Sequence, residues 1–108
     1  MRFDKLTIKS QEIIQEAQSL ASQHNNQQIE PEHLVGAMLR ESQGIANSML
    51  RKLGVSPHAV AQEILMAINS LPKVTGSGDV YLSPVAKKIL DAAFAEAGKM
   101  KDEYVSIE

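Results

Sequence analysis

The chain contains no cysteine, so it offers neither a disulfide framework nor a thiolate metal site, a composition suited to a reducing compartment. Charge of one sign is equally lacking. The 11 basic and 13 acidic residues leave a net charge of -2, which gives no electrostatic footprint for nucleic acid or an anionic membrane. There is no run of about 18 apolar residues to cross a bilayer, and the opening MRFDKLTIKSQ lacks the apolar stretch of a secretory leader. We therefore expect a soluble, cytoplasmic protein that begins at its own Met1.

Catalytic machinery is missing in the same way. AGKM at residues 97–100 lacks the upstream glycine and the Ser or Thr that would hold magnesium in G-x-x-x-x-G-K-[ST], and the GSG at 76–78 has no strand before it to make a phosphate cradle. His24, His33 and His58 are far apart, and PEHL is not the H-E-x-x-H that sets two ligands on one helix face. His24 is expected to border the core, and the other two to cap a helix or face water. No hydroxyl, carboxylate and base share a spacing that suggests a nucleophile. We expect no enzyme, no metal and no cofactor in this chain.

What is present is 108 residues with 44% hydrophobic and 22% charged side chains, enough for one small domain with a modest core. Residues 7–24 place Ile13, Ala17, Leu20, Ala21 and His24 at helical offsets, with Thr7 as a plausible N-cap. NNQQ at 25–28 breaks that period, and Pro31 opens a second helix with Glu32 beside its positive end. A short third helix carries Ile45, Met49, Leu50 and Leu53, and Gly54 suits the left-handed residue that ends it. Ser56 and Pro57 start a fourth, with Val60, Ile64, Ala67, Ile68 and Leu71 inward and Pro72 as its stop. The two glycines of PKVTGSGDVY indicate a mobile loop. Ser83 and Pro84 launch a fifth helix with Ala86, Ile89, Leu90, Ala93, Ala97 and Met100 inward. No stretch alternates as a strand would, so the fold class is all-α. The fourth helix contains no Lys or Arg, which argues against a nucleic-acid recognition helix. The methionines suit an adaptable surface, yet Met38, Met49 and Met66 sit on helical spacing and are read as core filling.

The chain also aligns on itself. Without gaps, residues 6–32 fall on 82–108, pairing Leu6 with Leu82, Ile13 with Ile89, Ala17 with Ala93, Ala21 with Ala97 and Glu32 with Glu108. This suggests a double helical repeat: repeat one at about 6–71, a loop at 72–81, and an incomplete repeat two at about 82–108. In the first copy the pattern leads through IEPE into HLVGAML; in the second it reaches VSIE at the last residue. Ser106 then reads as a helix N-cap, residues 105–108 as frayed or extended, and the apolar face of the fifth helix as partly uncovered.

RFDKLT, AQSLA, NNQQIEPEHLVGAML, the Leu53-Gly54 pair and SLPKVTGSGDVYLSP, in this order, resemble the amino-terminal repeat domain of the ClpB-type disaggregases, AAA+ chaperones of the Clp family. The resemblance covers essentially the whole chain. It implies an all-helical, pseudo-twofold domain tethered to a hexameric ATP-driven ring that threads aggregated proteins, with ATP and magnesium belonging to the parent protein. An Hsp70-type co-chaperone system is implied as a partner of that parent, and no nucleic acid or membrane. The resemblance further implies that unfolded or aggregated polypeptide is engaged by Thr7, Asp102 and Glu108. The alternative within the family is the adaptor-docking domain of the ClpA and ClpC unfoldases. From the residues themselves, Phe94 stands where the first repeat has Gln18 and could line an apolar groove or simply pack under the next helix. Leu90, Ala92 and Tyr104 share that ambiguity.

Overall fold

The computed structural model describes residues 8–41, 44–75 and 79–107, without the side chains of Phe94 and of residues 97–107. Five helices, α1 (Ile8–Gln23), α2 (Pro31–Leu39), α3 (Ile45–Lys52), α4 (Pro57–Asn69) and α5 (Pro84–Ile107), account for nearly all the regular structure. The fold is all-α, as the periodicity predicts.

Helix ends follow local chemistry. Asn25 takes φ 58 as Asn26 N-H reaches back to Ala21 O (2.8 Å) and Asn25 N-H to Ser22 O (3.1 Å), the paired bonds of a Schellman stop with asparagine as the left-handed residue. The same pair recurs at Gly54, with φ 78, through Val55 N-H to Leu50 O (2.9 Å) and Gly54 N-H to Arg51 O (3.0 Å). Ser56 Oγ accepts from Ala59 N-H (3.3 Å) at the start of α4, and Ser83 Oγ accepts from Ala86 N-H (3.0 Å) at the start of α5.

Helix α2 is the centre of the packing, lying against both α1 and α4. Ile14, Ala17, Leu20 and Ala21 of α1, Leu34 and Ala37 of α2, Ile29 and Ala86 form one buried cluster, and Ile13, Val80, Leu82 and Leu90 pack on it. At Gly36 a Cβ would lie 3.3 Å from Leu20, 3.5 Å from Ile64 and 3.6 Å from Ile68, so the missing side chain is what lets α1, α2 and α4 approach at that level.

A feature absent from the helical reading joins the two halves. Gln28–Ile29 (β1) pairs in parallel with Tyr81–Leu82 (β2), Gln28 opposite Tyr81 and Ile29 opposite Leu82. Two residues each are too few to show an alternating pattern, which is why the sequence did not reveal them.

Four expectations are corrected. Of the apolar residues assigned to the third helix, Leu50 is half-buried but the others face outward, with Ile45 75%, Met49 58% and Leu53, just past α3, 74% exposed, while Asn47 is buried. Met38 and Met66 are likewise exposed, so those methionines do not fill the core. In α5, Ala86 is buried and Leu90 half-buried, but Ile89 and Ala93 are exposed and not inward, so the apolar face is partly uncovered as expected, whereas their repeat counterparts Ile13 and Ala17 lie in the core. Among the described residues, nothing covers α5 as α2 covers α1. Finally, α5 continues to Ile107, so Ser106 is not an N-cap and 105–107 are helical. The repeat places Lys101 where Asn25 turns the first copy and Ile107 where Pro31 does; without either breaker, extending a formed helix by a residue is cheap.

Candidate functional site

The turn after α1 carries the densest polar construction. His33, third residue of α2, is fully buried and Asn26 is buried beside it. Glu30 N-H donates to His33 Nδ1 (2.8 Å), satisfying the backbone of the α2 N-cap. Since Nδ1 accepts, the proton of the neutral ring lies on Nε2, which donates to Asn26 Oδ1 (2.9 Å). Asn26 Nδ2 in turn donates to Pro72 O (3.0 Å). Burial pushes the His33 imidazole below the usual histidine range, against the opposing pull of the Glu32 and Glu30 carboxylates. The same turn receives Val74 N-H on Asn25 O (2.8 Å), Tyr81 N-H on Gln27 O (3.2 Å) and Ser83 N-H on Ile29 O (3.1 Å). Residues 25–29 thus bind the segment after α4 and the segment before α5.

The open concave surface lies on another side, where α1 crosses the end of α2. A cavity of about 800 Å³ is lined by Lys9 and Ile13 of α1, Met38, Arg40 and Glu41 at the end of α2, and Gly44, Ile45 and Ala46 at the start of α3. A second, of about 320 Å³, shares Lys9, Ile13, Arg40 and Glu41 and adds Glu12, Glu16 and Ala37. The rim charges are paired with each other: Lys9 with Glu41 and Glu12, Arg40 with Glu16. The hydrogen bond that the Lys9 ammonium donates to the Glu41 carboxylate holds it above the usual lysine range. Asn47 secures the wall formed by α3, its Nδ2 donating to Leu39 O (3.0 Å) and Glu41 O (2.6 Å). Ile45, Met49 and Leu53, four residues apart, extend the apolar surface along one face of α3. Apolar walls inside a rim of paired charges, two cations against three carboxylates, suit apolar side chains; nucleophile, base and oxyanion donors are not grouped here. Among the described residues no three His, Asp or Glu converge as metal ligands.

Of the residues singled out from the sequence, Thr7 and Glu108 lie outside the described residues. Leu90 packs on the core cluster. Phe94, Asp102 and Tyr104 all stand on α5, their side chains outside the description. By helical position Leu90, Phe94 and Tyr104 share one face of α5, with Asp102 towards its side. The cavity residues at the end of α2 and the start of α3 were missed. The outward turn of α3 depends on Asn47 reaching backbone carbonyls six and eight residues away; the usable signal was the row of apolar residues at spacing four on a helix too short to need all of them.

A small all-α domain, with no catalytic grouping among its described residues, is what this geometry defines. Residues 5–108 match the Clp repeat (R) N-terminal domain family, and the chain belongs to it. Over its whole length it is 38% identical to the chaperone protein ClpB of Porphyromonas gingivalis and 39% to that of Bacteroides thetaiotaomicron, spanning 12% of each. It is 37% identical to the chaperone protein ClpB of Bacillus cereus, spanning 13% of it. The chain therefore spans about one eighth of the length of the curated relatives it matches. No described helix is long and apolar enough to cross a membrane.

Proposed function

We propose that the chain is the substrate-recognition module of a ClpB-type chaperone. It captures apolar stretches of unfolded or aggregated polypeptide and presents them to an ATP-driven ring carried by the rest of the parent protein. The observation that carries this reading is the exposed apolar surface of α3, continuous through Ile45 with the cavity that Ile13 and Met38 line. A surface of that kind on a small domain is costly to leave in water unless it is used. Methionine adds tolerance of shape, and the mutual pairing of the rim charges reduces selection by charge. Each leucine-sized side chain buried contributes about 2 kcal/mol before ordering costs, so capture is weak and reversible, as handing on a substrate requires. Thr7, Leu90, Phe94, Asp102, Tyr104 and Glu108 are proposed as a second part of the contact surface.

The test is a titration of the labelled chain with a reduced, carboxymethylated polypeptide that cannot fold, followed by fluorescence anisotropy. Saturable binding at micromolar or weaker strength is expected, lost in the double variant Ile45→Ser, Met49→Ser. Binding confined to a folded adaptor, with none to the unfolded chain, would select the ClpA and ClpC type of function instead.

A further inference from the structure

The buried His33 has a role that substrate capture does not use. Three hydrogen bonds in series join the N-cap of α2 to the segment that leaves α4: Glu30 N-H to His33 Nδ1, His33 Nε2-H to Asn26 Oδ1, and Asn26 Nδ2-H to Pro72 O. Each link fixes the direction of the next, because an asparagine oriented to accept from the imidazole presents its amide nitrogen to the carbonyl. The series holds only while Nδ1 is bare. A second proton on the ring would face the Glu30 N-H across 2.8 Å, two donors with no acceptor between them. It would also place a charge in a site with no exposure to solvent.

We propose that the His33, Asn26 and Pro72 series is a proton-operated latch that holds residues 72–74 and the β1–β2 pairing against the α1–α2 half, and lets them go when His33 becomes doubly protonated. The neighbouring bonds from Val74 N-H to Asn25 O and from Ser83 N-H to Ile29 O connect the same turn to the segments on either side, so they report the release. The charged and titratable groups that act on the ring are Glu32 and Glu30 at the start of α2, which favour its protonation, and His24 at the end of α1 and Lys73 after α4, which oppose it. The release frees the start of α5, anchored by Ser83 beside Ile29, without requiring the α1–α2–α4 packing to come apart.

The experiment is nuclear magnetic resonance of the whole chain between pH 7.5 and 5. The imidazole nitrogen shifts give the tautomer and titration of His33, and amide hydrogen exchange gives the protection of Val74, Tyr81, Ser83 and of Ala17 and Ala21. The expected result is an Nε2-H ring titrating below pH 6.5. Protection at Val74, Tyr81 and Ser83, corrected for the intrinsic pH dependence of exchange, should fall by up to about tenfold per pH unit within that window, with Ala17 and Ala21 remaining the better protected throughout. In His33→Gln, whose side chain still accepts from Glu30 N-H, the fall should vanish. If that variant does not fold, the wild-type comparison decides alone. Protection that stays flat while His33 titrates, an ordinary titration at about 6.5, or protection at Val74, Tyr81 and Ser83 equal to that of Ala17 and Ala21, as opening of the whole molecule would give, would overturn the latch.

Discussion

At the scale of single residues, the stability of this chain rests on a few asparagines whose partners lie far along the sequence. Asn47 serves two backbone carbonyls from a buried position, so Asn47→Ala is expected to cost about 2 kcal/mol, read by urea denaturation; a change below about 0.5 kcal/mol would mean that water replaces it. Gly54, with φ 78 and open space around its Cα, should lose about 1 kcal/mol on substitution by alanine, from backbone conformation alone. His33 adds a pH dependence. Its native proton affinity is lowered, so the unfolded state binds more protons below about pH 6.5, and stability is full above that value and declines as pH falls towards the native pKa. The local signals among these residues were legible: Gly54, Ser56, Pro31 and Pro57 announce helix ends through their own conformational preferences. Asn26 was read only as part of a break, because its meaning depends on Pro72, forty-six residues away.

At the scale of elements, the five helices were legible because burial of one face imposes a period, and the faces of α1 and α4 were identified correctly. α3 was not, since its eight residues are held by one buried amide and its apolar face is left to solvent. For the same reason, Ile45→Ser with Met49→Ser should change stability by no more than about 0.5 kcal/mol while weakening polypeptide binding at least about tenfold, a separation that a core role for these side chains would not allow. The helix starts divide by depth. Ser83 is buried where Ser56 is exposed, so Ser83→Ala should cost about 1 to 2 kcal/mol and Ser56→Ala about 0.5 to 1, measured as shifts in the denaturation midpoint. The end of α5 was misjudged because the repeat was carried through residues whose counterparts lack the turn asparagine and the proline. Cα secondary shifts of residues 101–107 should be helical; extended values there would contradict the continuation of α5 to Ile107.

At the scale of the whole molecule, two surfaces serve different ends. The turn at 25–29 ties the halves of the domain together through buried polar bonds, and the α1–α2–α3 cavity with the outer face of α3 stays open. Membership of the Clp repeat family was legible in the order of motifs along the whole chain. The place of the cavity was not, since it arises where three helices meet and no single segment encodes it. Because its rim charges are paired, with two cations against three carboxylates, affinity for an unfolded chain should change less than about twofold between 50 and 300 mM salt, unlike a charge-steered encounter. The most direct measurement is a chemical-shift map of the isotope-labelled chain on addition of the carboxymethylated polypeptide. The account predicts shifts or broadening concentrated at Ile13, Met38, Ile45 and Met49, with a second group at Thr7, Phe94 and Asp102, and quiet resonances at the buried Ala17 and Ala21. A map without changes at the first group would contradict it.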